Sequence, residues 1–94
     1  MVVRFGWDEA KRKANIREHG FDFVGAERVF DGYTVTVEDT RFEYDEQRFI
    51  TFGILEGRVV AVAHTERGDS IRFISIRKAT KNEEKSYFAK IPEW

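Results

Sequence analysis

Between His64 and Lys85 the chain concentrates groups able to move protons and hold anions: His64, Glu66, Arg67, Arg72, Arg77 and Lys78, then Lys81 and Lys85. Phosphoryl transfer on RNA needs these side-chain types. Attack of a 2′-hydroxyl on the adjacent phosphorus requires a base for its proton, an acid for the departing 5′-oxygen, and fixed cations for the charge that builds up on the phosphorus centre. RNA brings its own nucleophile, so no metal ion is required to make one. His19 and His64 are far apart, no His-x-x-Glu spacing accompanies them, and there is no cysteine. Neither a metal site nor a cofactor is therefore expected.

A second polar set lies at spacings of four: Lys11, Asn15 and His19. On a helix these form one stripe beside Ala10 and Ala14. The stripe suits either a groove that contacts RNA or a solvated helix face with His19 near the negative end of the dipole.

Charge is segregated along the chain although the net charge is only −1. Residues 31–46 carry one basic and six acidic side chains, net −5, whereas residues 67–94 carry seven basic and four acidic ones, net +3. The near-neutral total argues against a protein that coats nucleic acid through its overall field, and places any such contact on the basic hairpin and the C-terminal segment beyond it.

The elements that must position these groups are legible from periodicity. Val2 to Phe5 reads as a short edge strand. Asp8 is placed as the N-cap of a helix running to about His19, with Gly20 as its stop. Phe23, Ala26, Val29 and Phe30 recur at spacings of three and four, predicting a second short helix capped by Asp22. From Tyr33 the period becomes two, with Val35 and Val37 on one face. Arg48 to Leu55 and Arg58 to Glu66 read as strands about a Glu56-Gly57 turn, and the run Val59 to Ala63 predicts a strand covered on both faces. Arg67 to Ser70 has turn composition, and Ile71 to Arg77 supplies the partner strand. Thr80-Lys81-Asn82-Glu83 fits a capping box opening a last helix to about Ala89. Pro92 stops that helix, and Trp94 docks or frays.

A two-residue turn at Gly68-Asp69 sets His64 opposite Phe73, Thr65 opposite Arg72 and Val60 opposite Arg77. His64, Glu66, Ser75 and Arg77 then share one face, and a one-residue slip reverses the grouping. Arg77 also ends its strand just before a helix N-terminus, where free N–H groups favour an anion.

With 94 residues, 41% apolar, 15% aromatic and 35% charged, the chain suits one folded domain spanning 1–94 with a soluble surface. The expected class is α+β: two N-terminal helices, an antiparallel sheet of about four strands, and a C-terminal helix. No apolar run approaches membrane-spanning length and the first residues are too short a run for a signal peptide, so a cytoplasmic protein without membrane contact is expected.

Trp7-Asp8, Lys11, Asn15, His19-Gly20, Phe23, Ala26 and Val29-Phe30-Asp31 resemble the N-terminal signature of the BrnT family of toxins. The run His64 to Asp69, then Ile71-Arg72, Ile74-Ser75, Arg77-Lys78-Ala79, Glu83 and Tyr87, is similar to the family's C-terminal elements in order and spacing. The resemblance implies a RelE-like fold and a metal-independent endoribonuclease whose RNA cleavage inhibits translation in a bacterial type II toxin-antitoxin system. It implies a BrnA-like antitoxin with a ribbon-helix-helix domain, and contact with operator DNA only through that antitoxin. Carried over position by position, it implies phosphate binding and charge stabilisation by Arg67, Arg72, Arg77 and Lys78, and proton transfer by His64 and Glu66. Lys11, His19, Lys81 and Lys85 are candidate RNA contacts. Two positions depart from the pattern: Ile76 stands where a small residue is usual, and Glu18 where a basic one is common. The alternative is a catalytically inert toxin-like module acting as co-repressor subunit with a DNA-binding partner. A non-nucleolytic RNA-binding domain would instead expose Phe49, Phe52 and Phe73 for base stacking.

Overall fold

A computed structural model describes residues 3–41, 43 and 45–91. The order is β1 (Arg4–Gly6), α1 (Glu9–His19), a 3-10 helix (Ala26–Asp31), β2 (Val35–Glu38), β3 (Phe49–Leu55), β4 (Arg58–Arg67), β5 (Ser70–Lys78) and α2 (Lys81–Lys90). The expectations for Met1, Val2, Pro92 and Trp94 lie outside the described residues.

The α+β class and the C-terminal helix are as expected; the sheet and the second helix differ. Five strands form one sheet in the order β1-β5-β4-β3-β2, not about four. The additional member is β1, which pairs parallel to β5, with Arg4 beside Ser70 and Gly6 beside Arg72. The Arg4 amide also donates to the Asp69 carbonyl at 2.9 Å, tying β1 to the hairpin turn.

Only one N-terminal α-helix forms. Asp8 caps α1 by accepting the Lys11 amide, and Gly20 closes it at φ 77°. The next apolar stripe is a 3-10 helix, because Gly25 takes φ 85° and interrupts any α-helix begun at Asp22. Asp22 spends its carboxylate on the Val24 amide at 2.9 Å and on Arg12 at 3.1 Å. Phe23, Ala26 and Val29 are buried nonetheless, since three residues per turn still keep them on one side.

One face of the sheet packs Val60, Val62, Phe73, Ile76 and Leu55 against Phe21, Phe23, Ala26 and Val29. The other face is only partly covered. There α2 places Tyr87 with Val59 and Ala79, flanked by Val35, Phe52 and Ile91. The Tyr87 hydroxyl donates to the Tyr33 carbonyl at 2.7 Å, and the Tyr33 hydroxyl to the Lys90 carbonyl at 2.8 Å, so two tyrosines lock α2 to the start of β2. Central β4 is buried on both sides from Val59 to Val62, as its apolar run predicts. Phe73 is buried, Phe52 packs under α2, and the Phe49 ring lies against His64, so these aromatics serve packing rather than base stacking. Among the described residues no helix is long and apolar enough to cross a membrane.

Gly53 marks a close approach between the sheet and the 3-10 helix. A Cβ there would stand 2.6 Å from Val29 Cγ1 and 3.3 Å from the Val29 carbonyl oxygen. Gly53→Ala should therefore destabilise the protein by about 1–3 kcal/mol, as overpacking of a tight core does. Urea denaturation measures this, and an unchanged midpoint would show that the 3-10 helix gives way freely.

Candidate functional site

The hairpin register decides which chemistry-bearing groups meet. Near the turn it is as expected, with Arg67 opposite Ser70, Thr65 opposite Arg72 and His64 opposite Phe73. Between Ala63 and His64 the ladder shifts: Ser75 faces Ala63 and Arg77 faces Ala61, leaving Ile74 as an extra residue in β5. Arg77 is therefore not opposite Val60, which pairs with Lys78. An added residue inverts the alternation beyond it. His64 and Arg77 consequently fall on opposite faces, correcting the expected grouping of His64, Glu66, Ser75 and Arg77. Arg72, Ser75 and Arg77 instead share the face that α2 only partly covers, above the small side chains of Ala61 and Ala63.

Each cation on that face is held differently. Arg77 donates through both terminal nitrogens to the Glu83 carboxylate, at 2.7 and 3.0 Å, and to the Lys78 carbonyl at 3.3 Å. Glu83 also accepts the Thr80 amide at 2.8 Å while Thr80 Oγ1 accepts the Glu83 amide, which completes the capping box. The carboxylate thus occupies the helix N-terminus where an anion was expected. Its hydrogen bond to Arg77 is the main reason its pKa falls to about 2, and the same bond raises the pKa of Arg77. Arg41 is close enough to Arg77 to oppose that rise, although it is paired with buried Asp39 at 2.8 Å. Arg67 bonds Glu46 at 2.9 Å. Arg72 stands on the outer strand rows beside Arg4, with Gly6, Thr65, Arg67 and Ser70.

His64 is wholly buried on the other side. Its Nε2 lies 2.7 Å from Thr51 Oγ1, which lies 2.8 Å from Thr36 Oγ1, and its ring packs between Phe30 and Phe49. Burial depresses its pKa below the usual imidazole value, more than exposed Glu66, 3.9 Å from Nδ1, offsets. The sheet therefore separates His64 from the arginines. Lys78, Lys81 and Lys85 are exposed at the end of β5 and on α2; Lys11 and His19 are exposed on α1.

Asn15 breaks the polar stripe expected on α1, because it alone of the three is buried. Its amide nitrogen donates to the carbonyls of Phe21 and Ile76 at 2.9 and 3.0 Å, and its oxygen accepts the Ile76 amide at 2.9 Å. Since β1 pairs with β5 only as far as Arg72, the outer edge of β5 at Ile76 has no strand beside it among the described residues. The Asn15 amide takes the place of a neighbouring peptide there, one residue before Arg77. Sequence spacing missed Asn15 as a clamp, and missed Arg4 and Arg41 as members of the cationic face. The available signals were an arginine in a short apolar strand and the lone base in the acidic run.

A family model described as "Ribonuclease toxin, BrnT, of type II toxin-antitoxin system" matches residues 7–83. Among solved structures, the 1.1 Å crystal structure of the Brucella abortus ribonuclease toxin BrnT is similar at a TM-score of 0.63, with 27% identity, covering 85% of this chain and 100% of that one. No curated protein sequence matches the chain.

Removing the Asn15 amide leaves buried backbone groups without partners. Asn15→Ala should cost about 3 kcal/mol by denaturation, whereas Lys11→Ala on the same helix should change stability by under about 0.5 kcal/mol. Equal effects would refute the clamp.

His64 gives a pH signature. Its folded pKa lies below the ordinary imidazole value of 6.5. The unfolded chain therefore binds the proton first as pH falls, and the stability from keeping His64 neutral, complete above about 6.5, is lost progressively below it. His64→Phe should flatten the stability curve just below about pH 6.5; the same slope in wild type and variant would assign it elsewhere.

Proposed function

The chain belongs to the BrnT family, the ribonuclease toxins of type II toxin-antitoxin systems, and we propose that it cleaves RNA on the arginine face of its sheet without a metal ion. The observation that carries this reading is the bulge at Ile74, which puts Arg72 and Arg77 on one open face over Ala61 and Ala63.

In this mechanism the RNA 2′-hydroxyl loses its proton and attacks the adjacent phosphorus. The P–O5′ bond breaks, leaving a 2′,3′-cyclic phosphate and a 5′-hydroxyl that takes up a proton. The protein's main contribution is fixed positive charge for the crowded phosphorus centre. A guanidinium has five N–H donors, and three bonds from Arg77 go to Glu83 and Lys78, which aims the remaining donors without exhausting them. Glu83, with its pKa at about 2, stays ionised and acts as the orienting partner. Arg72 supplies charge that no carboxylate neutralises among the described residues. Arg67 flanks the face, Lys78 stands at the end of β5 on the opposite side of the strand from Arg77, and Lys81 and Lys85 extend the positive potential along α2. Lys11 and His19 would add contacts from α1. Glu66 lies on the His64 side of β4, 3.9 Å from His64 Nδ1, so neither proton-transfer candidate stands on the arginine face; Glu66 is exposed at the hairpin end, and His64 acts from behind by holding β3 against β4.

Membership of a type II system implies an antitoxin. We assign to it a BrnA-like protein with a ribbon-helix-helix domain that sets acidic side chains against Arg67, Arg72 and Arg77, blocks translation inhibition in the cytoplasm, and makes any operator contact itself.

Purified protein should cut RNA in EDTA, and Arg77→Ala should slow cleavage about a hundredfold, the effect of losing one oxyanion donor worth about 3 kcal/mol. Intact RNA, loss of cleavage on chelation with recovery on adding a divalent ion, or an unchanged Arg77→Ala rate would each overturn a stated part of the mechanism.

A further inference from the structure

The outer end of the arginine face holds a hollow that extends from Arg72 past Arg67 to Arg4 on β1. Its volume is about 300 Å³, and Arg4, Phe5, Gly6, Thr65, Arg67, Ser70, Ile71 and Arg72 line it. We infer that this hollow is a second phosphate subsite, which binds a backbone phosphate of the same RNA strand away from the scissile bond; the inference rests on the nuclease reading above.

Register explains how three arginines come together from three strands. Arg4, Ser70 and Arg67 form one cross-strand row, and Gly6, Arg72 and Thr65 form the next. Alternate residues share a face, so Arg4, Arg67 and Arg72 rise from the same side of the sheet. Gly6 keeps the middle open: a Cβ there would meet nothing within 4 Å, so any side chain at this position would project into the space beside Arg72. Thr65 and Ser70 add hydroxyl donors at the floor.

Charge supports an anion in particular. Arg12, Arg41, Arg58, Arg67 and Arg77 each have a carboxylate within ion-pair distance. Among the described residues Arg4 and Arg72 have none. Two unneutralised guanidiniums on neighbouring rows repel each other, and a phosphate between them reverses the sign of that interaction. Arginine also offers paired N–H donors that match phosphate oxygens. The hollow has the volume of about ten waters at roughly 30 Å³ each, enough for a phosphate group with part of its hydration. A ribose-phosphate chain that crosses the face from Arg77 toward β1 meets this hollow next.

The test uses a fluorescent, fully 2′-O-methylated RNA dodecamer, which cannot be cut because it lacks the nucleophile, and measures its binding to full-length protein across salt concentrations. Arg4→Ala should weaken binding about tenfold and reduce the slope of log affinity against log salt by about 0.7, the share of one phosphate on a single strand. Arg4→Lys should retain the slope and lose part of the affinity, which guards against a folding defect. Arg17→Ala on α1 serves as the control. Wild-type affinity and slope in Arg4→Ala would overturn the subsite even if RNA cleavage is demonstrated. Arg4-dependent binding by a protein that proves unable to cut ordinary RNA would sustain the subsite and sink the nuclease reading. Protection of Arg4 from dicarbonyl modification by an acidic peptide but not by the dodecamer would instead assign the hollow to a protein partner and refute an RNA role.

Discussion

The extra residue in β5 at Ile74 is the constraint on which the arginine face depends. A strand presents alternate side chains to opposite sides, and one inserted residue exchanges the sides for everything beyond it. Below the bulge, Phe73 faces the core and Arg72 faces outward; above it, Ile76 faces the core and Arg77 faces outward. Without the insertion, the strand that buries Phe73 would bury Arg77 and expose Ile76. Desolvating an unpaired guanidinium costs far more than the local loss of ladder pairing, so the bulge reconciles a continuous apolar core with two outward arginines on one strand.

Such a break leaves the outer edge of β5 exposed to pairing errors, and the chain covers it twice. β1 pairs with Ser70 to Arg72, and Asn15 bonds both main-chain polar groups of Ile76. Between them, a three-residue strand and one side-chain amide satisfy an edge that would otherwise need a longer strand. The same two devices tie α1 and β1 to the arginine face. Asn15 steadies the backbone just before Arg77, and β1 brings Arg4 beside Arg72.

The acidic and basic blocks of the chain meet in the fold. Glu46 bonds Arg67, and Arg41, the base within the acidic run, lies near Arg77. Two kinds of arginine result. Arg77 and Arg67 are oriented by carboxylates, which offset their charge and hold their direction; among the described residues Arg4 and Arg72 have no carboxylate partner, so an anion there would find their charge uncompensated. A face that mixes both kinds can bind a polyanion electrostatically and still present fixed donors at one point.

Local rules decided a good deal without tertiary information. The caps at Asp8, Gly20 and Thr80, the strands about Glu56-Gly57 and Gly68-Asp69, and the doubly buried β4 all arise from residue types within a few positions of one another. The family also was legible, because its motifs lie in order along the chain. The 3-10 geometry was not, since one left-handed glycine at Gly25 overrides an apolar spacing that suits either helix. Nor was the parallel pairing of β1 with β5, which joins segments far apart in the chain and has no turn to announce it. The face assignment of His64 and Arg77 depended on the bulge, and nothing in the polarity of Phe73-Ile74-Ser75-Ile76 distinguishes a regular strand from one with an added residue. Residue types within reach of each other along the chain thus determined the elements and the inventory of charges. Which charges share a face was decided only when the core demanded that both Phe73 and Ile76 turn inward, because burying apolar area outweighs keeping a regular ladder.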